Sequence, residues 1–275
     1  MATRTAKKIE VGFIGGGNMT EAMVRGLLAS GRDAASLMIS EPDAARRRAM
    51  SKRYAIAVTE DNTALAQASR TVVLAVKPQI LAGVMEGLSP VVTGRELFVS
   101  IAAGVMLAKL QKGLGKSARV VRVMPNTPCL VGKAASVICA GSRATAADVR
   151  LVTKMFAAVG DAHVIADEKL MHLVTALSGS GPAYVYRFAE ALIEAGVKGG
   201  LEAELARALT FQTIAGAAAM MQQTGQEPAD LRRAVSSPGG TTLAGLARLD
   251  EKAFVETVKS AVAAAAKRSV ELGKA

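Results

Sequence analysis

The fold is decided by residues 9–28, which read IEVGFIGGGNMTEAMVRGLL. Residues 9–14 form a short apolar run typical of a β-strand, residues 15–17 are three consecutive glycines, and residues 21–28 have the periodicity of a helix. A strand, a glycine-rich loop and a helix in this order are typical of dinucleotide-binding domains, because the loop lets a pyrophosphate approach the backbone at the helix N-terminus. We therefore expect this stretch to bind a dinucleotide.

Three positions of the loop have separate roles in this interpretation. Gly15 would make the tight turn, and Gly17 would let the pyrophosphate lie against the backbone. The third position of the glycine fingerprint is Thr20, so the helix and the strand would pack slightly less closely than they do around glycine.

Apolar runs and helix-favouring segments alternate over the rest of the first half. The predicted strands, after the first, are Ser36–Ser40, Ala55–Val58, Thr71–Val76, Glu96–Ile101, Arg119–Met124, Ala135–Ala140 and His163–Ile165. Small or polar residues follow each strand, as expected where a ligand crosses the carboxyl edge of an open sheet. The sequence predicts an α/β, Rossmann-type dinucleotide-binding domain over residues 1–166.

Strand signals stop after about residue 166. The remaining segments are rich in Ala, Leu, Met, Glu and Lys, and predict helices at Asp167–Leu177, Gly181–Lys198, Glu202–Gln223, Pro228–Ala234, Thr241–Leu249 and Glu251–Leu272. The helix at 202–223 is apolar almost all round, which in a small domain requires a partner subunit. We expect an all-α domain over residues 167–275 that forms a homodimer.

Composition narrows the class of protein. The chain of 275 residues has a net charge of +11, but its basic residues are scattered and aromatic residues make up only 3%, so the pattern does not favour nucleic-acid binding. No apolar run is long enough for a membrane span, and the N-terminal MATRTAKKIE lacks the apolar core of a signal peptide. Cys129 and Cys139 lack metal-type spacing and are typical of reduced thiols in a cytoplasmic protein, and no metal site is predicted.

A second glycine-rich stretch, VSSPGGTT at residues 235–242, precedes a helix-favouring run. Proline fixes the turn, glycine admits a ligand close to the backbone, and free N–H groups at a helix start attract negative charge. The stretch is consistent with a site for a small anion and also with a tight loop that ends in a Ser/Thr cap.

The choice between NADP(H) and NAD(H) has signals in both directions. Glu41 follows the second predicted strand, where an acidic side chain binds the ribose hydroxyls of NAD. Arg46, Arg47 and Arg48 follow closely and could neutralise the 2′-phosphate of NADP, or could simply form the solvated face of a helix.

Six motifs, in order along nearly the whole chain, carry a resemblance to a known family. They are VGFIGGGNM at 11–19, LAVKPQ at 74–79, SIAAGV at 100–105, MPNTP at 124–128, ALSGSGPAY at 176–184 and VSSPGGTT at 235–242. The chain thereby resembles the pyrroline-5-carboxylate reductases. The resemblance implies NAD(P)H-dependent reduction of the C=N bond of 1-pyrroline-5-carboxylate to L-proline, the last step of proline biosynthesis. It also implies a dimer, and in many members a ring of dimers.

The resemblance also implies site residues, position by position. Cofactor contacts are implied for Gly15, Gly17, Asn18, Met19, Ser40, Pro42, Asn62, Ala75, Val76, Lys77, Pro78, Ala102 and Ala103. Substrate contacts are implied for Glu168, Ser236, Ser237, Gly239, Gly240, Thr241 and Thr242. The chain departs from the family at Glu41, where many members carry a small or basic residue, and at His172, where Asp is common.

Chemistry assigns one of these residues a catalytic role. Hydride addition to an imine is easier when the nitrogen is protonated or receives a hydrogen bond, and Thr242 is the candidate donor or proton relay. Tyr184, Tyr186 and His172 are weaker candidates that fit packing positions better. Two other functions stay open: a related imine or β-hydroxyacid reductase, which would need Lys198 as its catalytic lysine, and a non-catalytic dinucleotide sensor.

Overall fold

The computed structural model describes residues 9–274, so the basic segment at 1–8 and Ala275 lie outside the described residues. The chain divides into two compact units. The first contains residues up to Ser180 together with residues 265–275, and the second contains Gly181–Ala264. The boundary predicted at residue 166 falls inside the first unit, directly after its last strand.

The first unit is built around an eight-stranded sheet in the order β3-β2-β1-β4-β5-β6-β7-β8. The strands are β1 (Ile9–Ile14), β2 (Leu37–Ser40), β3 (Ala57–Thr59), β4 (Ser69–Leu74), β5 (Leu97–Ser100), β6 (Arg119–Met124), β7 (Ala134–Ala140) and β8 (Gly160–Ile165). The first six are mutually parallel, β7 is antiparallel to β6, and β8 is parallel to β7. The strand order reverses between β1 and β4, which puts a ligand crevice at the carboxyl ends of those two strands.

Helices cover both faces of this sheet. They are α1 (Asn18–Ala29), α2 (Ala44–Tyr54), α3 (Asn62–Ala68), α4 (Pro78–Leu88), α5 (Leu107–Leu114), α6 (Ala146–Ala157) and the short α7 (Met171–Val174). Side chains of α1 and α6 join one buried cluster, and side chains of α3, α4 and α5 join a second. Because consecutive residues of a strand point to opposite faces, Val73 belongs to the first cluster and Val72 and Leu74 to the second. Burial on both faces explains the uninterrupted apolar strands.

The second unit is helical. Its elements are α8 (Gly181–Lys198), α9 (Ala203–Thr224), α10 (Pro228–Ala234), α11 (Thr241–Glu251) and the first half of α12 (Phe254–Lys274). In α9 only Ala206 and Thr210 are buried, whereas Leu205, Leu209 and Phe211 are about half exposed at 48%, 51% and 54%. This exposure agrees with the expectation that α9 needs a partner subunit. No helix among the described residues is long and apolar enough to cross a bilayer.

The predicted α/β plus all-α organisation is confirmed, while several element boundaries were wrong. Ala55 adopts a left-handed conformation with φ of 54° at the end of α2, so β3 starts only at Ala57. Ala253, with φ of 52°, delays the last helix to Phe254. The helix expected at Asp167–Leu177 is a 3₁₀ turn, the short α7 and a π-helical turn at Thr175–Gly179. The strand predicted at Thr71–Val76 lies two residues earlier, at Ser69–Leu74, and leaves Ala75 and Val76 in the following loop.

Candidate functional site

The glycine loop makes the turn predicted for it. Gly15 has φ of +100°, and a Cβ added there would lie 2.7 Å from the carbonyl oxygen of Ala75. The backbone conformation at this position is therefore one that only glycine can adopt. The Thr20 hydroxyl donates a 2.6 Å hydrogen bond to the carbonyl of Gly15 and is buried, so the third fingerprint position stabilises the turn.

The N-terminus of α1 is open. Gly17 is its N-cap and has no side-chain cap, and Asn18 and Met19 are its first residues. The first N–H groups of a helix have no partner within the helix, so this end carries unsatisfied donors and partial positive charge. A Cβ at Gly17 would meet no atom within 4 Å. The loop therefore leaves free space beside these donors, which is the geometry that a pyrophosphate requires.

Glu41 lies against this loop. Its carboxylate accepts hydrogen bonds from the backbone N–H of Gly16 at 2.7 Å and of Asp43 at 3.0 Å. Arg46 donates to the carbonyl of Gly16 at 2.7 Å and to Glu21 at 2.6 Å. An acidic side chain and a basic side chain thus both contact the glycine loop.

Arg47 and Arg48, which also lie in α2, have different surroundings from Arg46. Arg47 donates to the carbonyls of Glu41 and Pro42 and forms an ion pair with Glu60 at 2.9 Å. Arg48 is exposed. Arg46 and Arg47 are therefore held by partners within the first unit rather than forming only a solvated face.

The positions implied for the adenosine end lie together. The Ser40 hydroxyl, at the end of β2, donates to the side-chain oxygen of Asn62 at 2.6 Å. Asn62 is the first residue of α3, which Asp61 caps through hydrogen bonds from the N–H groups of Thr63 and Ala64. Pro42 follows Glu41 in the same loop region. The carboxyl ends of β2 and β3 therefore bring these residues to one edge of the sheet.

The other predicted cofactor positions follow β4 and β5. Ala75 and Val76 are half-buried in the loop after β4, and Lys77 is the N-cap of α4 with Pro78 as its first residue. Ala102 is buried and Ala103 is exposed after β5. Because β1, β4 and β5 are parallel neighbours, these loops all lie at the same edge as the glycine loop.

The VSSPGGTT stretch belongs to the second unit and connects α10 to α11. Gly239 has φ of +69°, and the Gly240 N–H donates to the carbonyl of Ser237 at 3.0 Å, which closes a tight turn. The helix α11 begins at Thr241 with Gly240 as its N-cap and no side-chain cap. Thr242, in the first turn, is half-buried. The first N–H groups of α11 are thus available to an anion, and a Ser/Thr cap is not the reason for the loop.

Glu168 lies in the first unit with two partners. One oxygen, Oε1, accepts from the backbone N–H of Leu107 at 2.7 Å and from the Arg122 guanidinium at 2.8 Å. The sequence analysis missed Arg122. Its signal was present, because Arg122 stands between two valines in the interior of β6. Its side chain is only 1% exposed.

The weaker candidates have packing roles or are exposed. His172 shares a 3.0 Å hydrogen bond with Ser269, and burial followed by the charge of Arg122 lowers the pKa of His172 below its ordinary value. Tyr186 is 58% exposed, and Lys198 is the exposed last residue of α8. Burial raises the pKa of both thiols, Cys129 and Cys139, which keeps them protonated and unreactive.

Comparison with known proteins matches two separate parts of the chain to two families. Residues 168–272 match the family described as pyrroline-5-carboxylate reductase dimerisation, and residues 10–104 match the family described as NADP oxidoreductase, coenzyme F420-dependent. A pyrroline-5-carboxylate reductase of Pisum sativum is 44% identical over 262 residues, which cover 95% of each chain. This chain belongs to the pyrroline-5-carboxylate reductase family.

Solved structures of this family agree with the fold. The pyrroline-5-carboxylate reductase of Coxiella burnetii has a TM-score of 0.92 at 36% identity, with 98% of this chain and 100% of that chain covered. The Plasmodium falciparum pyrroline carboxylate reductase, solved with NADP bound, has a TM-score of 0.86 at 36% identity, with 96% and 98% covered. The prediction of an NAD(P)H-dependent reductase of this family is confirmed.

Proposed function

We propose that this chain binds NAD(P)H at the glycine loop of its first unit and reduces the C=N bond of 1-pyrroline-5-carboxylate to give L-proline. The single observation that carries the proposal is the presence of two open helix N-termini in one family member. One follows the glycine loop at α1, and the other follows the VSSPGGTT stretch at α11. The first is suited to a pyrophosphate and the second to a carboxylate.

The residues implied for cofactor binding suit a nicotinamide dinucleotide. The positive φ of Gly15, the free space at Gly17 and the donors at Asn18 and Met19 suit the pyrophosphate. We assign Ser40, Pro42 and Asn62 to the adenosine end and Ala75, Val76, Lys77, Pro78, Ala102 and Ala103 to the rest of the cleft. When bound, the cofactor supplies the hydride.

The residues implied for substrate binding contact two groups of the substrate, its carboxylate and its ring nitrogen. Backbone N–H groups at the start of α11, with Ser236, Ser237, Gly239, Gly240 and Thr241, hold the carboxylate of the substrate. Thr242 forms a hydrogen bond with the ring nitrogen, so that negative charge does not build there during reduction: its hydroxyl accepts from the N–H of a protonated imine or donates to an unprotonated nitrogen. A threonine hydroxyl is a poor acid, so Thr242 holds an already protonated imine or relays a proton from water. The resemblance implies a substrate contact for Glu168, which lies in the first unit.

We propose that the helical part from residue 167 onward is the dimerisation and substrate domain, and that dimers associate into a ring. The exposed apolar side chains of α9 support a homodimer. Light scattering is expected to give twice the mass of the chain or a larger even multiple. Leu209→Asp is expected to lower that mass, whereas Leu151→Asp, at an exposed apolar residue of α6 in the first unit, is expected to leave it unchanged. An unchanged mass for Leu209→Asp would oppose the assignment of this face.

The two unpaired cysteines support a place in the reducing cytoplasm, where thiols persist and reduced nicotinamide is available.

One assay tests the proposed function. The purified chain is mixed with NADH or NADPH, 1-pyrroline-5-carboxylate is added, and the absorbance of the reduced nicotinamide is followed while L-proline is identified by chiral chromatography. Loss of absorbance with stoichiometric L-proline supports the proposal. Binding of the nicotinamide without its oxidation would instead show a dinucleotide sensor.

A further inference from the structure

A buried arginine lies at the ligand edge of the sheet. Arg122 is the fourth residue of β6 and pairs in register with Ser100, the last residue of β5. Its Nη1 donates to Glu168 Oε1 at 2.8 Å and to the sulfur of Met106 at 3.1 Å. Its Nη2 is buried and has no hydrogen-bond partner among residues 9–274. The guanidinium is thus oriented by Glu168 and Met106.

Arg122 needs the carboxylate of Glu168 as a partner because its charge is buried. A charged side chain that is 1% exposed is strongly unfavourable without an oppositely charged partner. The described residues give Arg122 one carboxylate, that of Glu168. Arg122 therefore fixes where the carboxylate of Glu168 lies.

The same carboxylate oxygen caps a helix. Glu168 Oε1 accepts a 2.7 Å hydrogen bond from the N–H of Leu107, the first residue of α5. Met106 is the N-cap residue of α5 and provides no side-chain cap. A carboxylate at a helix N-terminus is stabilised by the partial positive charge there. Glu168, 61 residues away in sequence, supplies the cap that the local sequence lacks.

The capped helix, α5, follows β5 after a short connection. Residues 101–106 link β5 to α5, and within them Ala102, Gly104 and Val105 are buried while Ala103 is exposed. The connection is held at one end by the parallel ladder of β5 and at the other by the hydrogen bond from Leu107 to Glu168. Loss of the second restraint would loosen the segment that contains Ala102 and Ala103, while Gly104 still packs against Leu272 of α12.

We infer that Arg122 and Glu168 are positioning residues that hold segment 102–107 in place for hydride transfer. The inference rests on the proposed function, because Ala102 and Ala103 matter for transfer only if they line the nicotinamide end of the cleft. Glu168 then acts through the backbone of α5, and Arg122 acts through Glu168.

The same strand provides a matched control at its other end. Arg119, the first residue of β6, forms an ion pair with Asp148 at 2.6 Å, and Asp148 also accepts from the N–H of Thr145 at the start of α6. This pair has the same chemistry, a strand arginine and a carboxylate that caps a helix. Because it lies at the amino end of β6, it is remote from the ligand edge.

The test compares Glu168→Gln with Asp148→Asn. Amide hydrogen exchange of residues 103–107, measured without cofactor, is expected to be at least tenfold faster in Glu168→Gln and unchanged in Asp148→Asn. Single-turnover hydride transfer is expected to slow at least tenfold in Glu168→Gln alone. The Kd for ADP, a probe without the nicotinamide ring, is expected to change less than twofold in both variants.

A second variant separates positioning from folding. Arg122→Met combined with Glu168→Leu replaces the buried ion pair by apolar side chains, which proteins tolerate well. It is expected to keep the thermal midpoint near that of the wild type while exchange at 103–107 stays fast and hydride transfer stays slow. Wild-type exchange and wild-type transfer in this folded variant would overturn the inference.

The two proposals fail in different ways. A wild-type chain that does not oxidise NAD(P)H with the imine refutes the proposed function. The exchange comparison still reports whether Arg122 and Glu168 hold segment 102–107, since it uses no cofactor and no substrate.

Discussion

The carboxylate of Glu41 accepts a hydrogen bond from the backbone N–H of Gly16 at 2.7 Å. The side chain that follows β2 is therefore tied to the middle of the glycine loop rather than directed freely into solvent. A second hydrogen bond, from the N–H of Asp43 at 3.0 Å, fixes the other oxygen. The negative charge of Glu41 thus has a defined place beside the loop proposed to hold the cofactor.

This placement predicts the effect of Glu41→Ser on cofactor choice. The carboxylate would repel the 2′-phosphate of NADPH, while it could accept hydrogen bonds from the ribose hydroxyls of NADH. The ratio of kcat/KM for NADPH to that for NADH is expected to rise about tenfold, equivalent to about 1.4 kcal/mol. Steady-state rates with both cofactors measure it.

The control for this change is Glu10→Gln. Glu10 lies in β1 and pairs with Arg32, so the variant also removes one negative charge from the first unit. Its cofactor ratio is expected to equal that of the wild type. An unchanged ratio in Glu41→Ser would remove Glu41 from the account of cofactor choice.

Gly17→Ala tests the pyrophosphate site without disturbing the protein. A Cβ at Gly17 meets no atom within 4 Å, and the φ of −69° is ordinary for any residue, so the fold accepts alanine. Alanine is a poorer N-cap residue than glycine, so the substitution costs on the order of 0.5–1 kcal/mol of stability, which leaves the fold intact. A methyl group in the space left for the pyrophosphate is expected to raise the Kd for NADPH at least tenfold, as measured by fluorescence titration.

Gly83→Ala is the matched control for that variant. Gly83 lies in α4 and its added Cβ also meets no atom within 4 Å. Alanine there is expected to raise the thermal midpoint slightly, since glycine inside a helix costs about 0.5–1 kcal/mol, and to leave the Kd unchanged. Equal Kd values for Gly17→Ala and the wild type would place the pyrophosphate elsewhere.

The sequence predicted the turn of the glycine loop because the signals for it are local. The glycine loop, the strand and the helix of residues 9–28 are contiguous, and their order alone specifies the turn at Gly15. The antiparallel direction of β7 was not predicted. Strand direction depends on how the chain returns after Met124, and apolar periodicity carries no information on direction.

Polar pairs between residues far apart in the chain also could not be predicted from the sequence. The partner of Arg122 is 46 residues away, and the residue that Glu168 caps is 61 residues away. An arginine in an apolar strand indicates a buried charge, but residue type and spacing do not identify which carboxylate neutralises it. The resemblance indicated Glu168 as a site residue, and the structure adds the contacts through which it could act.

His172 predicts a pH dependence of stability. Burial, followed by the charge of Arg122, lowers the pKa of His172 below 6.5 in the folded chain, so the folded state prefers the neutral ring. The unfolded chain binds this proton more readily, so stability rises with pH. The contribution is complete above about pH 6.5 and is lost as the pH falls through that value towards the lower folded pKa.

Urea unfolding at about pH 8 and about pH 5.5 measures this contribution. In His172→Asn, whose amide can still bond to Ser269, the loss of unfolding free energy between the two pH values is expected to be smaller than in the wild type. His163→Asn, at an exposed residue of β8, serves as the control and is expected to retain the wild-type loss. Identical pH dependence in all three proteins would contradict the role of His172.

Thr242→Ala tests the proposed donor to the ring nitrogen. Thr242 is the second residue of α11, and the N-cap Gly240 leaves the N-terminus of this helix without a side-chain cap. Loss of one positioned donor is expected to lower kcat about ten- to a thousandfold. The KM for the imine is expected to change little, because the carboxylate is held by backbone N–H groups. Thr242→Ser, which keeps the hydroxyl, is expected to recover most of kcat.

Thr153→Ala provides the control, since the Thr153 hydroxyl donates to the carbonyl of Val149 within α6 of the first unit. Its kcat and KM are expected to match the wild type. The pH profile separates donation from binding: if Thr242 holds an already protonated imine, the rate of Thr242→Ala falls at every pH, whereas a relay from water makes the loss largest where the free imine is unprotonated. A Thr242→Ala variant with wild-type kcat and KM would show that the ring nitrogen is served by another group.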